Sequence, residues 1–262
     1  MRILSLSLLL ALTACSVAPT SSETSSIETN SVDDVVGTYA MKITLSATQK
    51  SAFLPETAPS TSDLYRLGEI VRDGEGFKIV ENNCAARFPN TGALKAYVKD
   101  LTVQSIGESV TKLTVTTEAG SIKIARDSLT QVLGANLVNP ASDALPTNSK
   151  DPRVIDADGD GKPGATTRAS FGLLSGDIYF VQRSTNTYSA SMNNDGNLKG
   201  LIQDKTEQSL IGKGSILIPS LALSPVTITQ DKDASKSTVT LERISAGSTC
   251  DSVLAHYKIA AE

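Results

Sequence analysis

Apolar and polar residues alternate one by one in short runs along most of this chain, and a period of two commits it to pleated strands with one wet and one dry face. Tyr39, Met41, Ile43 and Leu45 are separated by Ala40, Lys42, Thr44 and Ser46. Leu113, Val115 and Thr117 repeat the pattern against Lys112, Thr114 and Thr116, a turn follows at Glu118-Ala119-Gly120, and Ile122 and Ile124 flank Lys123, which predicts a hairpin. Two more hairpins are predicted from 64–71 and 77–80 around Asp73-Gly74, with Cys84 just past the second strand, and from 188–192 and 198–202 around 193–197. Ile178-Tyr179-Phe180-Val181 is apolar on both faces and reads as a central strand, reached from 170–174 through a turn at Ser175-Gly176-Asp177. Residues 238–242 and 253–259 alternate again and read as closing strands, whereas Pro219 demotes 216–223 to an edge strand or a bulge. The remainder reads as a loop over 46–63, a strand or short helix over 94–103, one or two helical turns over 128–137 and a loop over 139–150. Strands at this spacing, joined by Gly, Asn and Asp turns, predict an all-β fold: an antiparallel β-barrel or β-sandwich with one long acidic loop and little helix. Aromatics make up 4% of the residues and Trp is absent, so the core is aliphatic.

The first residues carry an address. Met1 and Arg2 precede an apolar run over 3–14, too short to span a bilayer, which reads as a signal peptide over 1–14. Leu12-Thr13-Ala14-Cys15 at its end resembles the lipobox of bacterial lipoproteins. The resemblance implies palmitate-type acylation of Cys15 and cleavage before it, and Ser16 in place of Asp implies the outer membrane. Several acyl chains on one cysteine anchor stably, where one alone binds only marginally. Of the sixteen residues 16–31, nine are Ser or Thr, a composition unable to bury enough surface to offset ordering. The chain thus divides into a signal peptide (1–14), a lipidated Cys15 with a Ser/Thr tether (15–32) and a single all-β domain (33–262).

With 24 basic and 28 acidic residues the net charge is −4, more negative still once Arg2 is removed, and no basic cluster with interleaved aromatics is present, which excludes nucleic acid. With Cys15 taken by lipid, Cys84 and Cys250 remain as an even pair in an exported chain, and a disulfide between them is predicted.

The acidic loop packs Asp151, Asp156, Asp158 and Asp160 among Gly159, Gly161, Pro163 and Gly164. Asp156, Asp158, Asp160 and Gly161 match positions one, three, five and six of an EF-hand loop, and Lys162 stands where a backbone carbonyl ligates. Thr167 replaces the bidentate glutamate and Pro163 the apolar strand residue, so a helix-free Ca²⁺ loop is predicted, completed by Asp151, backbone carbonyls or water. Its affinity belongs at the weak extracellular end, on the order of 10⁻⁴ to 10⁻³ M. The competing reading is a solvated turn in which Asp and Gly serve only backbone geometry.

Two further resemblances bear on the fold. Val36-Gly37-Thr38-Tyr39 is similar to the opening of calycin barrels such as lipocalins, with Tyr39 where those carry Trp. The order of that opening, Cys84, Leu145-Pro146-Thr147, Asp151-Pro152-Arg153-Val154, the block from Asp156 and the run Ile178 to Arg183 resembles a family of uncharacterised bacterial lipoproteins with an Asp-x-Asp-Gly-Asp-Gly-x-Pro-Gly block.

Catalytic signals are few. His256, the only histidine, falls on the polar side of the last alternating run, and neither Gly-x-Ser-x-Gly nor His-Glu-x-x-His occurs. Three functions fit: a non-catalytic structural or interaction module of the outer membrane with a Ca²⁺ loop and an envelope protein as partner; a lipocalin-like carrier of a small apolar ligand; and a carboxylate-based hydrolase. A closed lumen lined by Tyr, Ile and Phe distinguishes the carrier, and a cleft holding two acids away from the Asp loop distinguishes the hydrolase.

Overall fold

In this computed structural model, which describes residues 31–50, 58–89, 94–171, 174–214 and 225–262, the alternating runs become strands and the turns between them set the register. β1 (Gly37–Lys50) pairs along its length with β2 (Ala58–Asp73), which turns through Gly74 into β3 (Gly76–Arg87). A short β4 (Leu94–Tyr97) and helix α1 (Asp100–Gln104) precede the hairpin of β5 (Glu108–Glu118) and β6 (Ser121–Leu133), whose turn places Ala119 and Gly120 at φ 49° and 80°. β7 (Ala165–Phe171) leads into the long β8 (Leu174–Met192) and β9 (Leu198–Lys213). β10 (Pro225–Gln230), β11 (Thr238–Ile244) and helix α2 (Cys250–His256) complete the chain.

The eleven strands of the described residues belong to one antiparallel sheet, and eight of them close on themselves. From β1 the hydrogen bonds pass to β2, β3, β5, β6, β8, β9, β11 and back to β1. Closure gives each of these eight strands a neighbour on both sides and decides for the barrel over the sandwich. At one end the ring changes partners: β10 bridges β9 and β1, while β7 pairs with the first part of β8 and carries β4 on its far side.

One half of the interior is filled. Inward positions of the ring supply Tyr39, Met41, Ile43, Ile70, Ile79, Leu113, Ile122, Ile124, Leu198, Ile202 and Leu241, all within a few per cent of full burial. Each such aliphatic side chain contributes about 1.5–3 kcal/mol by leaving water. A 3-10 turn over Val32–Val35, capped by Ser31 and Asp34, docks fully buried Val35 into this cluster. The Tyr39 hydroxyl donates to the Val35 carbonyl at 2.7 Å, and Arg243 lies 5.0 Å over the Tyr39 ring while donating to the Val36 carbonyl at 2.8 Å. Gly37 permits this approach, because a Cβ there would run into Arg243 Nη1.

Several sequence expectations need correction. Residues 46–63 are not one loop: β1 continues to Lys50 and β2 begins at Ala58, with Pro59 in register opposite Thr48. Residues 128–133 continue β6 through a register shift between Arg126 and Leu129, and the strand, not a helix, runs into Gly134. The region 94–103 divides into β4 and α1, and Cys84 lies within β3 rather than past it. Ser175-Gly176-Asp177 is part of β8, paired with Ser170, Ala169 and Arg168, and is strand rather than turn. The last run is helix α2, not a strand, since it buries the adjacent pair Val253 and Leu254, which a strand would send to opposite faces. The signal peptide, Cys15, nearly all of the tether and 216–223 lie outside the described residues.

Candidate functional site

The same inward alternation that fills one half of the barrel lines a cavity in the other. On β8 the inward side chains run Met192, Ala190, Tyr188, then Asn186, Ser184, Gln182, then Phe180 and Ile178. The lumen passes from packed apolar residues, through a polar belt, to an open space of about 280 Å³. Its walls are apolar, with Leu64, Val103, Leu133, Phe180, Leu210 and Ile228 among them, while Arg66, Asn83, Gln131, Gln182 and Asp204 present polar groups at the belt. Phe and Ile thus line it as a carrier requires, but the tyrosines Tyr39 and Tyr188 belong to the filled half.

The belt holds three buried charges. Arg66 and Arg126 are 3% and 2% exposed, and Glu81 between them is fully buried. Arg66 donates from Nη1 to Glu81 Oε1 at 3.3 Å and from Nη2 to Gln131 Oε1 at 3.1 Å. Arg126 Nε lies 3.4 Å from Glu81 Oε2, an ion pair whose angle does not make a hydrogen bond, and its Nη2 donates to Asn186. The Arg126 guanidinium also lies 4.6 Å over the Tyr188 ring, whose burial pushes the hydroxyl pKa well above its ordinary value. Asp204 is held differently, accepting from the hydroxyls of Ser184 at 2.7 Å and Thr206 at 2.6 Å. None of these residues had been singled out from the sequence. Each does occupy the inward register of an apolar strand, Arg66 in phase with Leu64 and Ile70, Glu81 with Phe77 and Ile79, Arg126 with Ile122 and Ile124. A charge in that phase was the available signal.

The acidic loop lies outside the barrel, bridged to it by Ala135 with Val154. Arg183 on β8 pins the preceding segment by donating to the carbonyls of Pro140 at 3.1 Å and Asp143 at 2.7 Å. The structure brings Asp156, Asp158 and Asp160 together, one carboxylate oxygen of each lying within 4.8 Å of the others. Most of those oxygens are already used. Asp156 accepts from the N–H groups of Asp160 and Gly161, Asp160 from the Lys162 N–H and the Thr166 hydroxyl, and Asp158 Oδ2 from Thr102 and the Thr166 N–H. Asp158 Oδ1 is buried without a partner among the described residues. Asp151 is not in the group: Arg153 binds both its oxygens, at 3.0 and 2.7 Å, and holds its carboxyl pKa down to about 2.

The other predicted residues fall elsewhere. Cys84 and Cys250 form a disulfide, Cα to Cα 5.1 Å, which ties α2 to the outer face of β3. His256 is exposed at the end of α2, its Nε2 2.6 Å from Glu242 Oε2, far from the roles of a cavity base since neither residue lines the lumen. In comparisons with known proteins, no family, no curated sequence and no solved structure matches this chain, so its function must be argued from the lumen and the loop themselves.

Proposed function

We propose that this protein is a non-catalytic carrier that holds a small, largely apolar molecule in the open half of its barrel, anchored at the outer membrane through lipid on Cys15. The observation that carries the reading is the change in packing along one lumen: fully buried aliphatics fill one half, and the other keeps about 280 Å³ walled by apolar side chains. A domain stabilised only for its own sake gains by filling such space, since empty volume forfeits dispersion contacts. The volume sits near the lower end of the roughly 300–1,000 Å³ usual for ligand pockets, which suits a small guest. Carboxylate hydrolysis is the weaker reading, because it needs a pair of acids and Asp204 is the only one lining the cavity among the described residues. The anchor rests on the lipobox resemblance at Cys15 alone.

A neutral apolar fluorophore such as N-phenyl-1-naphthylamine is expected to bind saturably at one site. Ala169→Trp, which fills the lumen from a buried wall position, should weaken that binding at least about tenfold while the protein melts as before. No saturable binding to the unsubstituted protein would overturn the carrier and leave an interaction module.

Calcium at Asp156, Asp158 and Asp160 is a second reading, favoured by the convergence of three carboxylates and by the unpartnered Asp158 Oδ1. Its role would be structural, clamping the loop against α1 through the Thr102 contact. At ten times its dissociation constant, Ca²⁺ is expected to add about 1.4 kcal/mol, or about 3–5 °C in a melt. Asp158→Ala should remove the difference between Ca²⁺ and chelator, whatever it does to the baseline. Equal melts of the unsubstituted protein in both would leave the cluster as a hydrogen-bonded turn.

A further inference from the structure

We infer that the preferred guest is amphipathic, a monocarboxylate with an apolar tail, whose head binds Arg66 and Asn83 at the floor of the lumen and whose tail lies along the walls beyond. This rests on the carrier reading and adds to it the chemistry of the guest. Arg66 and Asn83 are direct cross-strand partners on β2 and β3, 3% and 6% exposed, and both line the cavity. Neighbours at that register stand close enough to share one ligand group. Arg66 spends Nη1 on Glu81 and Nη2 on Gln131, but its Nε–H has no acceptor among the described residues, and neither has Asn83 Nδ2. Two buried donors left unmet side by side are costly, and the group that answers both is an acceptor with two oxygens.

Charge points the same way. Arg66 and Arg126 share the single carboxylate of Glu81, so the ion-pair cluster at the floor carries an excess positive charge. The one carboxylate lining the cavity among the described residues, Asp204, stands on β9, four steps from β3 around a ring of eight strands, and its oxygens are occupied by Ser184 and Thr206. An anionic head is thus drawn toward the β2–β3 side and repelled from the β9 side. The apolar walls exclude a bare anion as the preferred guest, because they would stay in contact with water.

Calorimetric titration of the purified protein with decanoate, decanol and acetate separates the possibilities. Decanoate is expected to bind at least about tenfold more tightly than decanol, and acetate not measurably. Asn83→Leu, which removes a side chain that holds no hydrogen bond among the described residues, should cut the decanoate preference severalfold without lowering stability. Arg66→Gln, which keeps a donor but no charge, should abolish that preference. Equal binding of decanoate and decanol would overturn the inference and leave the carrier standing. Binding of neither would overturn the carrier itself, and acetate binding as well as decanoate would mean an anion site without a use for the walls.

Discussion

Glu81→Gln is expected to cost about 3–5 kcal/mol, the range for removing one partner from a buried ion pair. Glu81 is fully buried and, among the described residues, is the only carboxylate in ion-pair contact with Arg66 and Arg126, at 3.3 and 3.4 Å. The substitution leaves two guanidinium groups in the barrel with Gln131, Asn186 and the Asp127 carbonyl as neutral acceptors among the described residues. Against the 5–15 kcal/mol that holds a typical domain together, that is a large fraction. Urea unfolding reads it as a shift of midpoint at constant slope. The compensating experiment is Arg66→Met, Glu81→Leu and Arg126→Leu together, which should restore most of the loss, because an apolar replacement of a whole buried cluster is often neutral or better. A loss below about 1 kcal/mol for Glu81→Gln would mean that the guanidinium groups are solvated, which their burial denies.

Removing the disulfide is the other large effect. Cys84 and Cys250 are 166 residues apart, and on the chain-entropy account cross-linking a loop of that length disfavours the unfolded chain by about 5 kcal/mol, an upper figure. The double substitution Cys84→Ala with Cys250→Ala should therefore lower the melting temperature by roughly 10 °C or more. The local consequence is sharper. α2 has seven residues, too few for a helix to persist alone, and it holds its place through Val253, Leu254 and the bridge. Without the bridge, proteolysis should begin within the last residues before the barrel opens. Melts that coincide with and without reductant would show that packing alone fixes α2.

How much of this was legible in the sequence follows from where each strand faces. The hairpins around Gly74, Gly120 and Gly196 could be read because turn and flanking alternation are local and both strands border the filled core. The far ends of β1 and β2 could not, because Ser46, Ala47, Gln49, Ser60 and Ser62 line the cavity, and a strand that faces an unfilled lumen loses the apolar beat that marks it. The misread loop and the missed cavity are one omission. α2 failed for a different reason: Val253, Ala255, Tyr257 and Ile259 do alternate, but the burial that decides is that of Val253 and Leu254 together. The disulfide was legible from cysteine parity, and the convergence of Asp156, Asp158 and Asp160 from their spacing, whereas Asp151 leaves that group because Arg153, two residues on, pairs with it. The buried belt needed the strand order as well as the phase, since Arg66 and Glu81 stand on the paired strands β2 and β3 whereas Arg126 comes from β6, two strands beyond β3.

The division of β1 between two neighbours has a mechanical consequence. Seven residue pairs join its first part to β11, while beyond Ser46 four pairs join it to β10, which meets β9 in three more. The barrel therefore has a seam that runs only half its height. Unzipping β10 would breach the wall on the Val226 and Ile228 side of the cavity and leave every rung around the aliphatic half in place. Access to the lumen and integrity of the fold are in this way charged to different segments of the chain, so the first can fluctuate at small cost to the second.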